Sequence, residues 1–229
     1  MKLVPARRWF RPSRVGAALL VAASVGIPTR AAAQEKQQGL LFAMDVPQGA
    51  YRLGAGRNGY GAATHFAMRI GTSLLLWGGE TGFRFMGQEK RTERSSTNPD
   101  VTAQVRTDSA VIPVHFVLRT QRRTGAMRPY ADGVIGFKYL TTKTSISTSE
   151  GGSTRRFGDT TLSYGFGGGI QGGLTQNTWL DVKVRYLRGG LASYVKKVSI
   201  QQIEPRVLFD VVSSRTDVIA VQVGISRSF

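Results

Sequence analysis

Cysteine is absent from the 229-residue sequence, and its absence excludes two ways of holding a fold together. Without thiols the chain forms neither a disulfide framework nor a thiolate metal site. Long apolar runs are also missing after residue 33. Since a membrane helix needs about 18 or more such residues in succession, that part of the sequence predicts no helical membrane span.

Residues 1–33 have the three parts of a secretory signal peptide. Basic residues come first, an uncharged and mostly apolar run extends from Val15 to Ile27, and Ala31-Ala32-Ala33 offers a small-residue cleavage site. The run is too short to cross a bilayer as a helix, so cleavage after Ala33 is predicted rather than anchoring. Arg7-Arg8-Trp9-Phe10 leaves a twin-arginine export route as an alternative.

Acidic residues are scarce: 14 Asp and Glu stand against 31 Lys and Arg. Six of the basic residues and none of the acidic ones lie in residues 1–33, so the remainder carries 25 basic and 14 acidic residues, a net charge of +11. Such a surplus commonly indicates nucleic-acid binding. Export argues against that partner, because the polyanion that an exported bacterial protein meets is the lipopolysaccharide of the outer leaflet. No nucleic-acid partner is predicted.

The final segment, from Asp217 to Phe229, alternates between two kinds of side chain. One face carries Ile219, Val221, Val223, Ile225 and Phe229, and the other carries small and polar groups. A period of two predicts a β-strand with one apolar face.

Seven earlier segments alternate in the same way, centred on residues 40–46, 60–70, 75–85, 110–118, 128–139, 162–174 and 180–186. They predict about eight strands in total. Polar segments at 88–104, 141–158 and 189–216 are predicted to be long loops, and short turns separate the other strands from the second onward, as in transmembrane barrels. Pro113 in the fourth strand predicts a bulge, because proline cannot donate to a sheet ladder.

Several short motifs then suggest a family. They are Arg128-Pro129-Tyr130 followed by Gly133 and Gly136, the run Gly165-Phe166-Gly167-Gly168-Gly169, Asp181 with Arg185-Tyr186, and Phe229 at the end. Together, from Gly39 to Phe229, the chain resembles the eight-stranded outer-membrane β-barrel proteins of the opacity, OmpA and OmpX type, without a peptidoglycan-binding domain.

The resemblance implies an all-β fold, an antiparallel up-and-down transmembrane β-barrel formed by residues 34–229 as one domain. It implies a monomer in the bacterial outer membrane, in contact with outer-membrane lipid. It also implies that Phe229 is the assembly signal for the barrel-assembly machinery, although Arg227 stands where that pattern has an apolar residue.

Alternation alone leaves open which face is inside. A soluble barrel of lipocalin type turns its apolar face inward, whereas a membrane barrel turns it outward. The second face here is crowded with Gly, Ser and Ala, and Gly alone accounts for 28 residues. Small residues suit a narrow interior, which favours the membrane barrel.

Charged residues on the second face are the candidates for function. We expect a lumen-facing polar network of Glu80, Arg84, Asp132, Lys138, Asp181, Lys183 and Arg185, with His65, Arg69, His115 and Arg119 on the same side. Because an unpaired buried charge is costly, these groups are expected to pair. An eight-stranded barrel has room for little beyond side chains, so a plugged lumen is predicted, with a narrow pore for small solutes as the alternative.

Catalysis and cofactor binding are not predicted. A hydrolase needs a nucleophile beside an oriented base, and neither His65 nor His115 shows the His-x-Ser spacing of outer-membrane deacylases. Nothing supplies metal-ligand spacing either. A non-catalytic role in envelope integrity or surface contact is therefore predicted, and a lipid-modifying enzyme is the least favoured alternative.

The predicted outer segments are rich in basic residues: Lys90, Arg91, Arg94 and Arg106, then Arg155 and Arg156, then Lys196, Lys197 and Arg206. Solvated loop charge is one interpretation. The other hypothesis is that some of these residues pair with lipopolysaccharide phosphates at the outer rim through charge-assisted hydrogen bonds.

Overall fold

The computed structural model describes residues 34–94, 102–148, 151–203 and 206–229, and residues from Gln34 onward form one compact unit. The predicted signal peptide at 1–33 lies outside the described residues, as do the segments 95–101, 149–150 and 204–205. In the described part of the chain, no helix has the length and apolar character needed to cross a membrane.

Ten strands and one short helix follow one another in the described part of the chain. They are β1 (Lys36–Pro47), α1 (Gly49–Ala55), β2 (Gly59–Arg69), β3 (Leu75–Arg94), β4 (Thr102–Gln121), β5 (Met127–Thr148), β6 (Gly151–Gly173), β7 (Thr178–Gly189), β8 (Leu191–Ile203), β9 (Arg206–Arg215) and β10 (Val218–Ser228). Eight of them close a barrel in the order β1-β10-β7-β6-β5-β4-β3-β2, and every neighbouring pair is antiparallel. The predicted eight-stranded up-and-down barrel is confirmed.

The first and last barrel strands close the cylinder. β1 pairs with β10 from Gln37 opposite Ser228 to Pro47 opposite Val218. At its end, the Phe229 N–H donates to the Lys36 carbonyl at 2.9 Å, and the Lys36 N–H donates to the Phe229 carbonyl at 3.2 Å. Closure removes the free strand edges that would otherwise expose unpaired backbone groups.

Side chains alternate across the barrel wall, with polar groups inside and apolar groups outside. On β7, Asp181, Lys183 and Arg185 are buried, whereas Leu180 and Val184 are 43% and 50% exposed. The outer surface of the other strands is a belt of exposed Leu, Ile, Val, Phe, Tyr and Trp side chains. Such a belt faces hydrocarbon, since water would not support so much apolar surface. The barrel is therefore of the transmembrane type, and the lipocalin-type alternative is wrong.

The two ends of the barrel differ. Three tight connections, at 70–74, 122–126 and 174–177, lie at the end that also holds Phe229, which we call the short-turn end. At the opposite, extended end, β3 to β6 continue beyond the belt as a four-stranded sheet. The short helix α1 and the two-stranded sheet of β8 and β9 lie between barrel strands at this end as well.

The three predicted long loops are corrected by the structure. Most of 88–104 and 141–158 belongs to β3–β4 and β5–β6, and most of 189–216 to β8–β9. Between β1 and β2 the chain forms α1. Beyond the belt the outward side chains are polar or charged, as at Asp108 and Lys143, and the buried inward ones include Thr142 and Thr144, so the sequence lacks the apolar alternation that marks the strands within the belt.

The predicted bulge at Pro113 is also wrong. Pro113 lies opposite Lys138 of β5 in a continuous register. The register shift lies instead in the partner strand β3, between Phe85 and Gly87. Gly87 has a φ of 114°, a conformation that glycine adopts most easily, so the bulge forms there.

The belt generates a prediction on β7. Val184→Arg places a cation against hydrocarbon near the middle of the strand and is expected to lower the free energy of unfolding by roughly 2–4 kcal/mol. Equilibrium urea unfolding from phosphatidylcholine vesicles measures the change, with Val184→Leu as the apolar control. Equal stability of the Arg and Leu variants would contradict the outward position of Val184.

Candidate functional site

The centre of the lumen holds an acid that three side chains share. Lys183 Nζ lies 2.6 Å and Arg185 Nη1 2.8 Å from Glu80 Oε2, while Gln222 Nε2 donates to Glu80 Oε1 at 2.9 Å. All four residues are buried. β3, β7 and β10 supply them from different parts of the wall, so this contact ties three strands together across the interior.

A second acid, Asp132 on β5, joins this cluster to β4. Arg185 bonds Asp132 as well as Glu80, through Nε at 3.1 Å and through Nη2. Arg119 reaches Asp132 with its Nε at 2.8 Å and its Nη2 at 3.3 Å, a bidentate pair. Arg185 thus connects the two carboxylates, and we call these five groups, Glu80, Asp132, Arg119, Lys183 and Arg185, the central network.

Asp181, which lies beside the central network, accepts hydrogen bonds from three neutral side chains. Tyr130 Oη donates to it at 2.5 Å, Ser226 Oγ at 2.9 Å and Gln171 Nε2 at 3.0 Å. The Arg119 guanidinium lies over the Tyr130 ring, 3.8 Å from its centroid, so this group is continuous with the central network. The lumen at this level is filled with side chains rather than open.

Glycines of β6 make room for the largest of these groups. A Cβ on Gly167 would overlap Arg185 Cγ, and one on Gly169 would overlap the Tyr130 hydroxyl. The glycine-rich run at 165–169 therefore has a packing function: it lets two long side chains lie flat across the inner wall.

Toward the extended end the lumen becomes apolar. Arg84 still pairs with Asp45 at 3.3 Å, and Lys138 donates to the Thr216 carbonyl at 3.2 Å. Beyond them a buried apolar cluster includes Tyr51 of α1 together with Met86, Leu140, Leu187 and Val218. The helix thus contributes an aromatic ring that packs with residues of the barrel wall at this end.

At the short-turn end, Glu35 binds two arginines. Arg69 Nε lies 2.7 Å from Glu35 Oε2, Arg128 Nη1 lies 3.3 Å from Oε1, and Arg128 also stacks on Trp179. Burial alone would raise the pKa of Glu35, but hydrogen bonds from Arg69 and Gln37 and the charges of both arginines outweigh it, so the pKa lies below the usual 4.5. The carboxylate is therefore ionised at neutral pH, and it connects Arg69 of β2 with Arg128 of β5 at this end.

The two histidines lie inside the barrel and have different surroundings. His115 Nε2 lies 3.0 Å from Ser163 Oγ, a pairing that the sequence spacing did not predict. Both residues are buried in the lumen, and no carboxylate of the described residues bonds the other ring nitrogen of His115. Neither ring nitrogen of His65 has a hydrogen-bond partner. In hydrolases the base is oriented by a third group, and the described residues place no carboxylate on His115.

All seven residues expected in the polar network are buried inside the barrel, and six of them make the ion pairs or hydrogen bonds described above to other side chains. Lys138 is the exception, because its ammonium group donates to a backbone carbonyl. Sequence reasoning missed several partners: Asp45, Tyr130, Gln171, Gln222 and Ser226. The sequence could have identified them as lumen-facing, because each lies at an inward position of the period-two pattern. No group of three or more acids and histidines that could hold a metal ion occurs in the described part of the chain.

Basic residues also gather on the outside of the extended end. Lys143 of β5 lies opposite Arg156 of β6 and Asp108 of β4, and Lys90 lies opposite Arg106. Directly opposed residues share a face, and this face continues that of Tyr139 and Phe137 in the belt. We call Lys90, Arg106, Lys143 and Arg156 the basic rim.

The basic rim retains most of its charge. Arg106 pairs with Asp108 at 3.0 Å, and the other three cations form no ion pair with a described residue. Arg155 is exposed but lies opposite Thr144, on the face of the sheet that does not carry the basic rim. The sequence analysis did not identify Lys143, because β5 continues there into a segment in which no apolar side chains mark the outward face. The side chains of Arg91, Arg94, Lys196, Lys197 and Arg206 lie outside the described ones.

The lumen generates a stability prediction. Asp132→Asn leaves the buried Arg119 without its carboxylate and is expected to cost roughly 3–5 kcal/mol in unfolding free energy. Asp108→Asn, which breaks the exposed pair with Arg106, is the matched control and is expected to cost less than about 1 kcal/mol. Urea unfolding of both refolded variants tests this, and equal effects would show that the central network does not stabilise the barrel.

Comparison with known proteins gives fold-level likeness only. No family model and no curated protein matches the chain. Among solved structures, Neisserial surface protein A is 14% identical, with 86% of this chain and 97% of that chain covered and a TM-score of 0.45. A major outer membrane protein of Thermus thermophilus is 9% identical, with 85% and 99% covered and a TM-score of 0.49. The attachment invasion locus protein of Yersinia pestis, bound to a heparin analogue, is 16% identical, with 86% and 99% covered and a TM-score of 0.39.

By its own strand order and side-chain alternation, the chain is an eight-stranded antiparallel transmembrane β-barrel.

Proposed function

We propose that this protein is a non-catalytic β-barrel of the bacterial outer membrane that serves envelope integrity and surface contact. The observation that carries the proposal is the sealed lumen: the central network fills the interior, and the apolar cluster around Tyr51 follows it toward the extended end. A barrel closed in this way offers neither a solute path nor a reaction site, so its wall and its rims are the parts that act.

Orientation in the membrane follows from the two ends. Short turns lie on the periplasmic side and long hydrophilic extensions on the outer side in barrels of this class. The sheet formed by β3 to β6 then stands outside the cell, and Phe229 lies at the periplasmic side, where the barrel-assembly machinery would meet it. Phe229 is 58% exposed, which suits a recognition role. Export through the segment 1–33 belongs to the same proposal.

Lipopolysaccharide is the proposed partner of the basic rim. On β5, Lys143 follows Tyr139 by four residues on the same face, so its ammonium group lies beyond the belt, at the level where lipid phosphates begin. Phosphates accept charge-assisted hydrogen bonds from Lys and Arg, and three of these four cations form no ion pair with a described residue, although Lys143 lies opposite Asp108. The rim would hold the protein against the outer leaflet from the side.

A planar-bilayer experiment tests the sealed lumen. The refolded protein, with insertion checked by its altered gel mobility before boiling, is expected to show no steady single-channel current. Separating the buried ion pairs would cost several kcal/mol, so the network does not open spontaneously. Steady currents from the wild-type chain would favour the alternative, a narrow pore for small solutes.

Charge-neutralising variants test the rim. Lys143→Gln with Arg156→Gln is expected to weaken binding to purified lipopolysaccharide by about fivefold for each charge, the contribution of one cation near an anionic lipid surface. Arg155→Gln removes one charge from the opposite face of the sheet and is the matched control for Arg156→Gln alone. Titration of the refolded proteins measures the affinities. Equal losses in these two single variants would show a general charge effect in place of a rim site.

A further inference from the structure

The wall at the short-turn end contains a groove that the sealed lumen and the basic rim do not account for. Its volume is about 360 Å³, and it lies where the ends of β4 and β5 meet the turn before β3. Seven residues line it: Gln121 and Tyr130 are buried, whereas Leu74, Thr120, Arg122, Pro129 and Ala131 are exposed. The groove therefore opens to the outside of the barrel.

Small side chains create the groove. Thr120 and Ala131 lie directly opposite each other, and Gly168 of β6 continues the same row. One row further into the membrane the wall is bulky again, with Trp77 opposite Leu118. The small row thus forms a depression at the edge of the apolar belt, where a hydrocarbon chain can lie against the protein.

A cation stands at the mouth of this depression. Arg122 follows Thr120 on the same face, just beyond the belt, and its guanidinium forms no hydrogen bond or ion pair with a described residue. Arg123 beside it donates to the Thr72 carbonyl at 2.8 Å and so ties the turn after β4 to the turn before β3. The acid of this end, Glu35, is already bound by Arg69 and Arg128. Arg122 is left to bind an anion from outside the protein.

We propose that the groove binds one anionic glycerophospholipid of the periplasmic leaflet. An acyl chain lies on Thr120 and Ala131, and the guanidinium of Arg122 donates to the phosphate. The volume is at the small end of ligand pockets, which fits one chain segment rather than a whole lipid. The inference rests on the proposed orientation only for the choice of leaflet.

Fluorescence quenching provides the test, because Trp77 is exposed on the belt one row from the groove. The full chain carrying Trp9→Phe is refolded into phosphatidylcholine vesicles with rising fractions of dibrominated phosphatidylglycerol, then with dibrominated phosphatidylcholine. Trp179 is buried inside the barrel and gives a constant background. Trp77 is expected to show about fivefold preference for phosphatidylglycerol, the effect of one cation near the lipid surface.

Three variants decide between a built site and a general effect of charge. Arg122→Gln is expected to abolish the preference, and Ala131→Leu, which fills the groove and keeps the charge, is expected to reduce it. Arg227→Gln removes an exposed cation at the same end from β10, on the other side of the barrel, and is expected to leave it unchanged.

Three results would overturn the proposal. The first is equal quenching by both lipids in the wild type, and the second is loss of the preference in Arg227→Gln to the same extent as in Arg122→Gln. The third is an undiminished preference in Ala131→Leu, which would show that the groove is not part of the site. The vesicles contain no lipopolysaccharide and expose Arg122 to phosphatidylglycerol in either orientation. Failure here therefore leaves the proposed function standing, and failure of the rim experiment leaves this result standing.

Discussion

The bonds of Arg185 to two carboxylates are the contacts on which the interior depends. In a narrow barrel surrounded by hydrocarbon, each buried charge carries a desolvation penalty that only close opposite charges offset. Arg185 lies between Glu80 and Asp132, and through them it reaches Lys183 and Arg119. Removing this one guanidinium would separate two carboxylates from their shared cation and divide the network into halves.

The wall is shaped to accommodate that network. Inward glycines on β6 let Arg185 and Tyr130 lie across the lumen, while the outward side chains of the same strands supply the belt. Because the cylinder is closed, every barrel strand has a partner on both sides, and the ion pairs also connect strands that are not neighbours. Such a lumen is a cross-braced core, which supports the proposed role of the barrel as a stable body in the membrane.

The two proposals assign function to the surfaces that face lipid and water. The two ends carry cations on the outside in different settings: the basic rim stands on a hydrophilic sheet beyond the belt, whereas Arg122 stands at the edge of a small-residue groove. The cations at both ends can bind a phosphate group, but only the groove adds an apolar surface beside the cation. An asymmetric bilayer, with glycolipid on one side and phospholipid on the other, matches these two ends.

The sequence by itself determined the strands within the membrane and their faces, because a period of two is a local property that any residue shares with its neighbours two positions away. Asp181, Lys183 and Arg185 could be assigned to one face, and Val184 to the other, without knowledge of the fold. The tertiary structure alone decided which side chains meet: Glu80 and Lys183, or His115 and Ser163, are brought together by strand register and barrel closure. It also decided where strands continue into water, as at Lys143, and where β3 bulges, since neither depends on apolar alternation.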